Sequence, residues 1–348
     1  MNAELLELGL SPFFTQQLSF DEIEDARLVR VFQVQRSLLV VGDGSTTWSV
    51  PPGGNWSRLP AEARATVGDW LVLDSSGERI LRLLDRKSVF KRVAAGKKVD
   101  VQLMAANIDI LFVVSSCNED FNESRLERYL ALAREAGVDP VIILTKADLT
   151  QDAEGYRERA QTLSGDSPVE LVNALAESSL DSLRKWISNG STIALAGSSG
   201  VGKSTLINSL AGQTLASTGD IREQDAKGRH TTTYRELHVL PSGGLLIDLP
   251  GIREVKLGEA GKGVSEAFDD IDLLARQCRF VDCQHHDEPG CAVQQAIQAG
   301  TLDERRLRNH EKLAREEARH SATLAEQRQQ DKAFGKMVKQ HTSVKRRR

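Results

Sequence analysis

Apolar residues along this chain change their spacing part of the way through. Between about residues 25 and 85 they alternate with polar ones in short runs, Arg27 to Gln35, Ser37 to Val41, Thr46 to Val50 and Trp70 to Leu73, separated by Gly-Asp-Gly, Pro-Pro-Gly-Gly and Ser-Ser-Gly. A period of two, punctuated by glycine and proline, predicts short strands buried on one face. A five-stranded barrel of the OB type satisfies that pattern. From Ile108 the apolar runs become continuous, near residues 109–115, 141–145, 169–173 and 192–196. The segments between them have a helical period; one presents Leu126, Tyr129, Leu130 and Ala133 on a single face, with Ser124 and Glu127 as a capping box and Gly137 as its stop. Fully apolar strands alternating with amphipathic helices predict a mostly parallel, doubly wound α/β sheet. Tyr234 to Leu240 and Leu245 to Asp248 read as a hairpin, and residues 302–340 read as a charged helix. The chain shows no internal repeat. The expected divisions are 1–103 for an N-terminal segment, barrel and basic linker, 104–268 for the α/β domain, and 269–348 for a C-terminal unit.

Composition fits a multi-domain α/β protein: 348 residues with 40% hydrophobic content fill two or three cores. No apolar run approaches the roughly 20 residues that span a bilayer. Six acidic residues and no basic one precede Arg27, unlike a signal peptide. A cytoplasmic protein without membrane contact is expected. The net charge of -4 conceals a basic stretch, Lys332 to Arg348, with seven lysines and arginines and no acidic residue. Arg86 to Lys98 carries six more basic residues. Both are suited to a phosphate backbone, and equally to plain solvation.

Gly197, four residues, then Gly202, Lys203 and Ser204 form a P-loop, set between the apolar run Ile193 to Ala196 and a helix from Thr205. The loop's backbone N–H groups and the helix N-terminus cradle phosphates. Its members are Gly197, Ser198, Ser199, Gly200, Val201, Gly202, Lys203, Ser204 and Thr205, with Lys203 directed at the β- and γ-phosphates and the Ser204 hydroxyl at Mg²⁺.

Thr145-Lys146-Ala147-Asp148 follows the strand 141–145 and matches the [Asn/Thr]-Lys-x-Asp element that reads guanine. An Asp carboxylate accepts both guanine N–H groups, and adenine offers no such pair. Threonine in place of the commoner asparagine is expected to weaken one buttressing hydrogen bond. Three further signals complete a GTP site. Lys227 to Thr233, with His230 and the threonines Thr231, Thr232 and Thr233, suits a first switch. Asp248-Leu-Pro-Gly251 ends an apolar run as an Asp-x-x-Gly element, and Asn173-Ala174 ends another run where a backbone contact to guanine O6 is expected.

The base-reading elements precede the phosphate elements, the reverse of the usual order. A GTPase domain with its original ends joined, and cut after Asp-x-x-Gly, gives this arrangement; compact domains tolerate such circular permutation when their ends lie close.

Cysteines supply the last signal. Cys278, Cys283, His285 and Cys291 fit a closed tetrahedral Cys₃His zinc site, with His286 as the alternative fourth ligand. Cys117 stands apart on a strand end and reads as structural.

Barrel, permuted GTPase domain with "GRHTTT" and "DLPG", and C-x4-C-x-H-x5-C, in that order, resemble the bacterial ribosome small-subunit-dependent GTPase A family over almost the whole chain. The resemblance implies an OB-type barrel, a circularly permuted P-loop GTPase domain and a C-terminal helical zinc domain. It implies a GTP hydrolase that binds the 30S subunit late in its maturation, is stimulated by it and leaves after hydrolysis to GDP, with the barrel and zinc domain on 16S rRNA. A GTP-gated rRNA-binding factor with incidental hydrolysis is the alternative. A monomer is expected. Ser204, Thr232 and Asp248 are assigned to Mg²⁺, and Lys203 offsets charge on the transferred phosphoryl group. The residue after Asp-x-x-Gly is Ile252, which cannot orient a water, so the resemblance points to His230 for that role. The sequence reveals no arginine finger in cis, an element worth about 10³–10⁵ in rate, so slow intrinsic turnover is expected.

Overall fold

The alternating runs form a five-stranded antiparallel sheet in the computed structural model, which describes residues 3–54, 56–94, 100–216, 235–249 and 262–319. Short helices α1 (Ala3–Glu7), α2 (Pro12–Thr15) and α3 (Phe20–Asp25) precede it. Its strands are β1 (Arg27–Val34), β2 (Leu39–Gly42), β3 (Thr47–Val50), β4 (Trp70–Leu73) and β5 (Ile80–Leu83), in the order β3-β2-β1-β4-β5. Val29, Val31, Leu39, Val41, Leu71 and Leu73 all face one core, the period of two made physical. The basic segment that reads as a linker runs instead through a strand. Residues Val89–Ala94 (β6) pair with Asp100–Ala106 (β7), and buried Phe90 anchors the pair while charged neighbours mask the pattern.

Among the described residues the α/β domain has six strands: β8 (Ile110–Ser116), β9 (Asp139–Thr145), β10 (Val169–Val172), β11 (Thr192–Gly197), β12 (Leu237–Val239) and β13 (Leu245–Asp248). The order is β10-β9-β8-β11-β13-β12, parallel throughout except for β12. Helices α4 (Glu123–Glu135), α5 (Ala153–Ser164), α6 (Glu177–Arg184) and α7 (Lys203–Ala211) join the strands. All six residues of β11 are buried, as a strand covered on both faces requires. Successive strands run outward from β8 on one side and from β11 on the other, so the switch point lies between these two. Open α/β sheets bind ligands at that place, beyond the carboxyl ends of the strands.

Helix α4 buries Leu126, Tyr129, Leu130 and Ala133 as the periodicity predicts, but its cap differs. Asn122 is the N-cap, accepting the Arg125 N–H at 2.9 Å, which places Ser124 inside the first turn and Glu127 in the buried face. The hairpin begins at Leu237; Tyr234 lies outside the described residues.

Arg30, on the face of β1 opposite the core, ties these layers together. Its buried guanidinium donates to the carbonyls of Leu8, Gly68 and Asn107 and to Thr192 Oγ1 at the start of β11. Burial pulls its pKa down to about 10, against the pull of Asp109 and Asp69, so it stays charged at neutral pH.

The chain divides into two compact units, residues 1–255 and 256–348. The second holds α8 (Lys262–Ala267), α9 (Asp269–Ala275), α10 (Ala292–Gln298) and a helix over 304–319 (α11). Arg306 pairs with Asp270 at 2.8 Å and lies over the ring of buried Phe268. The rest of the expected helix to residue 340 and the basic stretch lie outside the described residues. No helix among the described residues is long and apolar enough to cross a membrane.

Candidate functional site

The P-loop turns from β11 into α7 at the switch point. Gly197 is obligatory there, because a Cβ would meet the Val114 carbonyl oxygen at 2.3 Å. Gly202, with φ +90°, takes the left-handed conformation that begins α7. Ser198 and Val201 are buried and pin the loop from below, while Ser199 and Gly200 are exposed at its crest. Lys203, Ser204 and Thr205 are half-buried in the first turn of α7, and Lys203 Nζ donates back to the Ser198 carbonyl.

The Thr-Lys-x-Asp segment meets this loop directly through Thr145. Thr145, buried at the end of β9, places its Oγ1 2.6 Å from the Val201 carbonyl and 3.1 Å from that of Ser115. The threonine therefore keeps a hydrogen bond across the two halves that its substitution for asparagine was expected to weaken. Lys146 follows with φ +59°, a left-handed conformation rare for a side-chain-bearing residue and of the kind that collects at ligand sites. Asp148 is exposed on the turn Ala147–Leu149. Beside it, in register with Thr145, Val172 leads into Asn173 and Ala174. Asn173 Oδ1 accepts the Leu175 N–H at 2.9 Å, and the Ala174 carbonyl accepts Ser209 Oγ from α7 at 2.7 Å. On the far side Asp248 pairs with Leu195 across parallel strands, so the Asp-x-x-Gly element starts level with the P-loop. Thr145, Asn173, Ala174, the P-loop and Asp248 thus share one edge of the sheet. His230, Thr232 and Gly251 lie outside the described residues.

One contact carries no signal in the sequence. Arg125, in the first turn of α4, donates from Nη1 to Ser198 Oγ. The two residues are 73 positions apart, and neither belongs to a motif that names the other.

In the second unit Cys278, Cys283, His285 and Cys291 converge, with all four ligand atoms within 4.8 Å of one another. Cys278 and Cys291 Sγ lie 3.8 Å apart, and His285 Nδ1 lies 3.6 and 3.5 Å from them. Tetrahedral zinc, with bonds of about 2.3 Å to sulfur and about 2.0–2.1 Å to nitrogen, has edges of about 3.8 and 3.6 Å, so the donor set fits. The backbone of His285 is left-handed at φ +61°, and His286 is outside the cluster, its N–H turned to Glu288. Burial opposes ionisation of Cys278, but the N–H groups of Ala292 and Val293 at the start of α10 outweigh it and hold this thiol below the ordinary range. Burial and the neighbouring thiols push Cys283 up to about 11. Cys117 is buried, with its thiol pushed up to about 11 by burial, as suits a structural residue.

Fold and site together define a circularly permuted P-loop GTPase. The chain belongs to the RsgA GTPase family, whose sequence pattern matches residues 83–258. It is 51% identical over 346 residues to the small ribosomal subunit biogenesis GTPase RsgA 2 of Vibrio parahaemolyticus, covering 99% of this chain and 94% of that protein. It is 47% identical over 319 residues to the RsgA of Mesorhizobium japonicum, covering 90% and 89%. Its fold is similar to that of YjeQ from Thermotoga maritima (TM-score 0.62, 24% identity, 83% of this chain and 97% of that one). YloQ, described as a circularly permuted GTPase, is also similar (TM-score 0.59, 22% identity, 82% and 93%). The ABC transporter pattern also matches, over residues 180–343, a span that holds the P-loop and omits Thr145 to Asp148. A phosphate cradle is common to both kinds of protein; the Thr-Lys-x-Asp segment sits outside that match.

Proposed function

We propose that this GTPase acts late in maturation of the small ribosomal subunit: it binds the 30S particle in its GTP form, is stimulated by it, and leaves after hydrolysis to GDP. The observation that carries the reading is the hydrogen bond from Thr145 to Val201, which holds a guanine-reading turn against a triphosphate loop. The names of the Vibrio and Mesorhizobium relatives support the ribosomal partner.

In this reading the backbone N–H groups of Ser199 to Ser204 hold the phosphates, and Lys203 moves from the Ser198 carbonyl to the β- and γ-oxygens. Asp148 takes the two guanine donors and the Ala174 N–H takes O6. Mg²⁺, when bound, would supply positive charge that offsets charge on the phosphates. Ser204, Asp248 and a switch threonine, assigned as Thr232, would hold it, since Ser204 lies in the first turn of α7 and Asp248 stands on the strand beside β11. His230 orients the attacking water, with Gly251 at the γ-phosphate. The five-stranded sheet is an OB-type barrel open between β3 and β5, and together with the zinc-bound Cys₃His unit it contacts 16S rRNA. The protein works as a cytoplasmic monomer.

GTP turnover measured with and without purified 30S subunits, at two salt concentrations, tests this. The expected result is slow turnover alone and acceleration of at least about tenfold by the subunit, weakening at high salt as phosphate contacts are screened. Unchanged turnover at saturating subunit would end the proposal.

A further inference from the structure

Arg125 occupies an unfavourable place for a cation. It stands in the first turn of α4, where the positive end of the helix dipole disfavours a basic group. Its backbone is held there, with the N–H capped by Asn122 and the turn that follows buried through Leu126, Tyr129 and Leu130, while the side chain, in an exposed residue, reaches the P-loop. The helix leaves β8, the P-loop leaves β11, and these strands flank the switch point, so Arg125 faces the loop across the crevice.

Its target is one residue of that loop. Ser198 is buried, accepts Arg125 Nη1 on its hydroxyl, and accepts Lys203 Nζ on its carbonyl. The second half of the loop is held separately, through Val201 in the core and Thr145 on its carbonyl. Between the two anchors Ser199 and Gly200 form the exposed crest. When Lys203 turns to phosphate, the Arg125 contact alone of these two still holds Ser198.

We propose that Arg125 is a positioning residue for the triphosphate form of the nucleotide: through Ser198 it fixes the first half of the P-loop, so that the N–H groups of Ser199 and Gly200 are preset for the terminal phosphate. The inference rests on the reading of residues 197–204 as the triphosphate cradle. A GDP complex, which lacks that phosphate, depends on the second half of the loop and on Asp148, and is largely indifferent to Arg125. This supplies in cis an arginine that serves the phosphate loop without reaching the reacting atoms.

The test uses the full-length protein and four variants, Arg125→Ala, Arg125→Lys, Ser198→Ala and the Arg125→Ala/Ser198→Ala double, with titration of a non-hydrolysable GTP analogue and of GDP. A charged hydrogen bond is worth enough to predict about tenfold weaker analogue binding in Arg125→Ala with GDP affinity changed less than about twofold. Arg125→Lys recovers part of the loss, and the double variant binds the analogue no worse than the weaker single variant, because one contact cannot be lost twice. Unchanged analogue affinity in Arg125→Ala, equal losses for both nucleotides, or additive losses in the double variant would each overturn the proposal. Lys203→Ala separates the two levels: if it abolishes analogue binding while Arg125→Ala has no effect, only the role of Arg125 falls. If it binds the analogue normally, the cradle reading falls with it.

Discussion

In the proposed function, guanine selectivity turns on Asp148. It is exposed on a turn whose preceding residue, Lys146, is left-handed, and whose strand is tied to the P-loop by Thr145. A carboxylate accepts at both oxygens, whereas an amide accepts at one and donates at the other. Asp148→Asn should therefore weaken GTP binding by about 10²- to 10⁴-fold and improve binding of the xanthosine triphosphate, whose base carries the complementary oxygen. Competition between the two nucleotides measures this, and undiminished preference for GTP would remove Asp148 from the base. The motif was legible because Thr-Lys-x-Asp at the end of an apolar run is a local pattern. The contact that gives it meaning was not, since Thr145 and Val201 are 56 positions apart and only the sheet order brings them together.

At the scale of elements, two arginines fasten the N-terminal segment to the rest. Arg30 satisfies oxygens of Leu8, Gly68, Asn107 and Thr192, and so joins the start of the chain to the strand that carries the P-loop. Arg30→Met keeps much of the apolar stem but strands these acceptors in a dry interior, at an expected cost of about 3–5 kcal/mol, which thermal unfolding reads as a lower Tm. Arg82, on β5, pairs with Glu22 of α3 at 2.6 Å. The hydrogen bond from Arg82, then that from the Ser19 N–H, holds Glu22 down to about 2, below its ordinary 4.5. A lowered carboxylate pKa stabilises the fold above pH 4.5 and loses that contribution as pH falls from 4.5 towards 2. Arg82 is 38% exposed, so solvent screening limits the pair to under about 1 kcal/mol. Protection of the α3 amides, taken relative to the intrinsic exchange rate at each pH, should therefore fall over that acid range in the natural protein and already be reduced at neutral pH in Glu22→Gln. The strands of the α/β sheet were readable because burial on both faces leaves continuous apolar runs. Strand β6 was not, because its lysine and arginine imitate a linker, and the start of α4 was misplaced by two residues because Ser124 and Asn122 are both plausible caps in isolation.

For the whole molecule, permutation was legible from motif order alone, and the family relationship agrees with it. In the second unit the sequence put His285 first with His286 as its rival, and the structure brings His285, whose backbone is left-handed, to the thiols. Residues 276–290, between α9 and α10, contain no helix or strand, and Phe280 and Val281 within them are exposed. Little apolar burial is available there to offset the entropy of ordering this loop. In the proposed zinc-bound form the four ligands would supply it, since a structural zinc site contributes on the order of 10 kcal/mol. Cys278 is already inclined to ionise, but Cys283 is not, so binding releases protons and affinity falls as pH drops. Treatment with a chelator at pH 6 should strip the metal faster than at pH 8 and raise amide exchange across residues 276–290 and α10. GTP binding should persist, because every element named in the nucleotide site belongs to the first unit. Zinc content that stays below stoichiometric in the freshly purified protein, or exchange in this segment that is indifferent to chelator, would show that the cluster is held by packing alone.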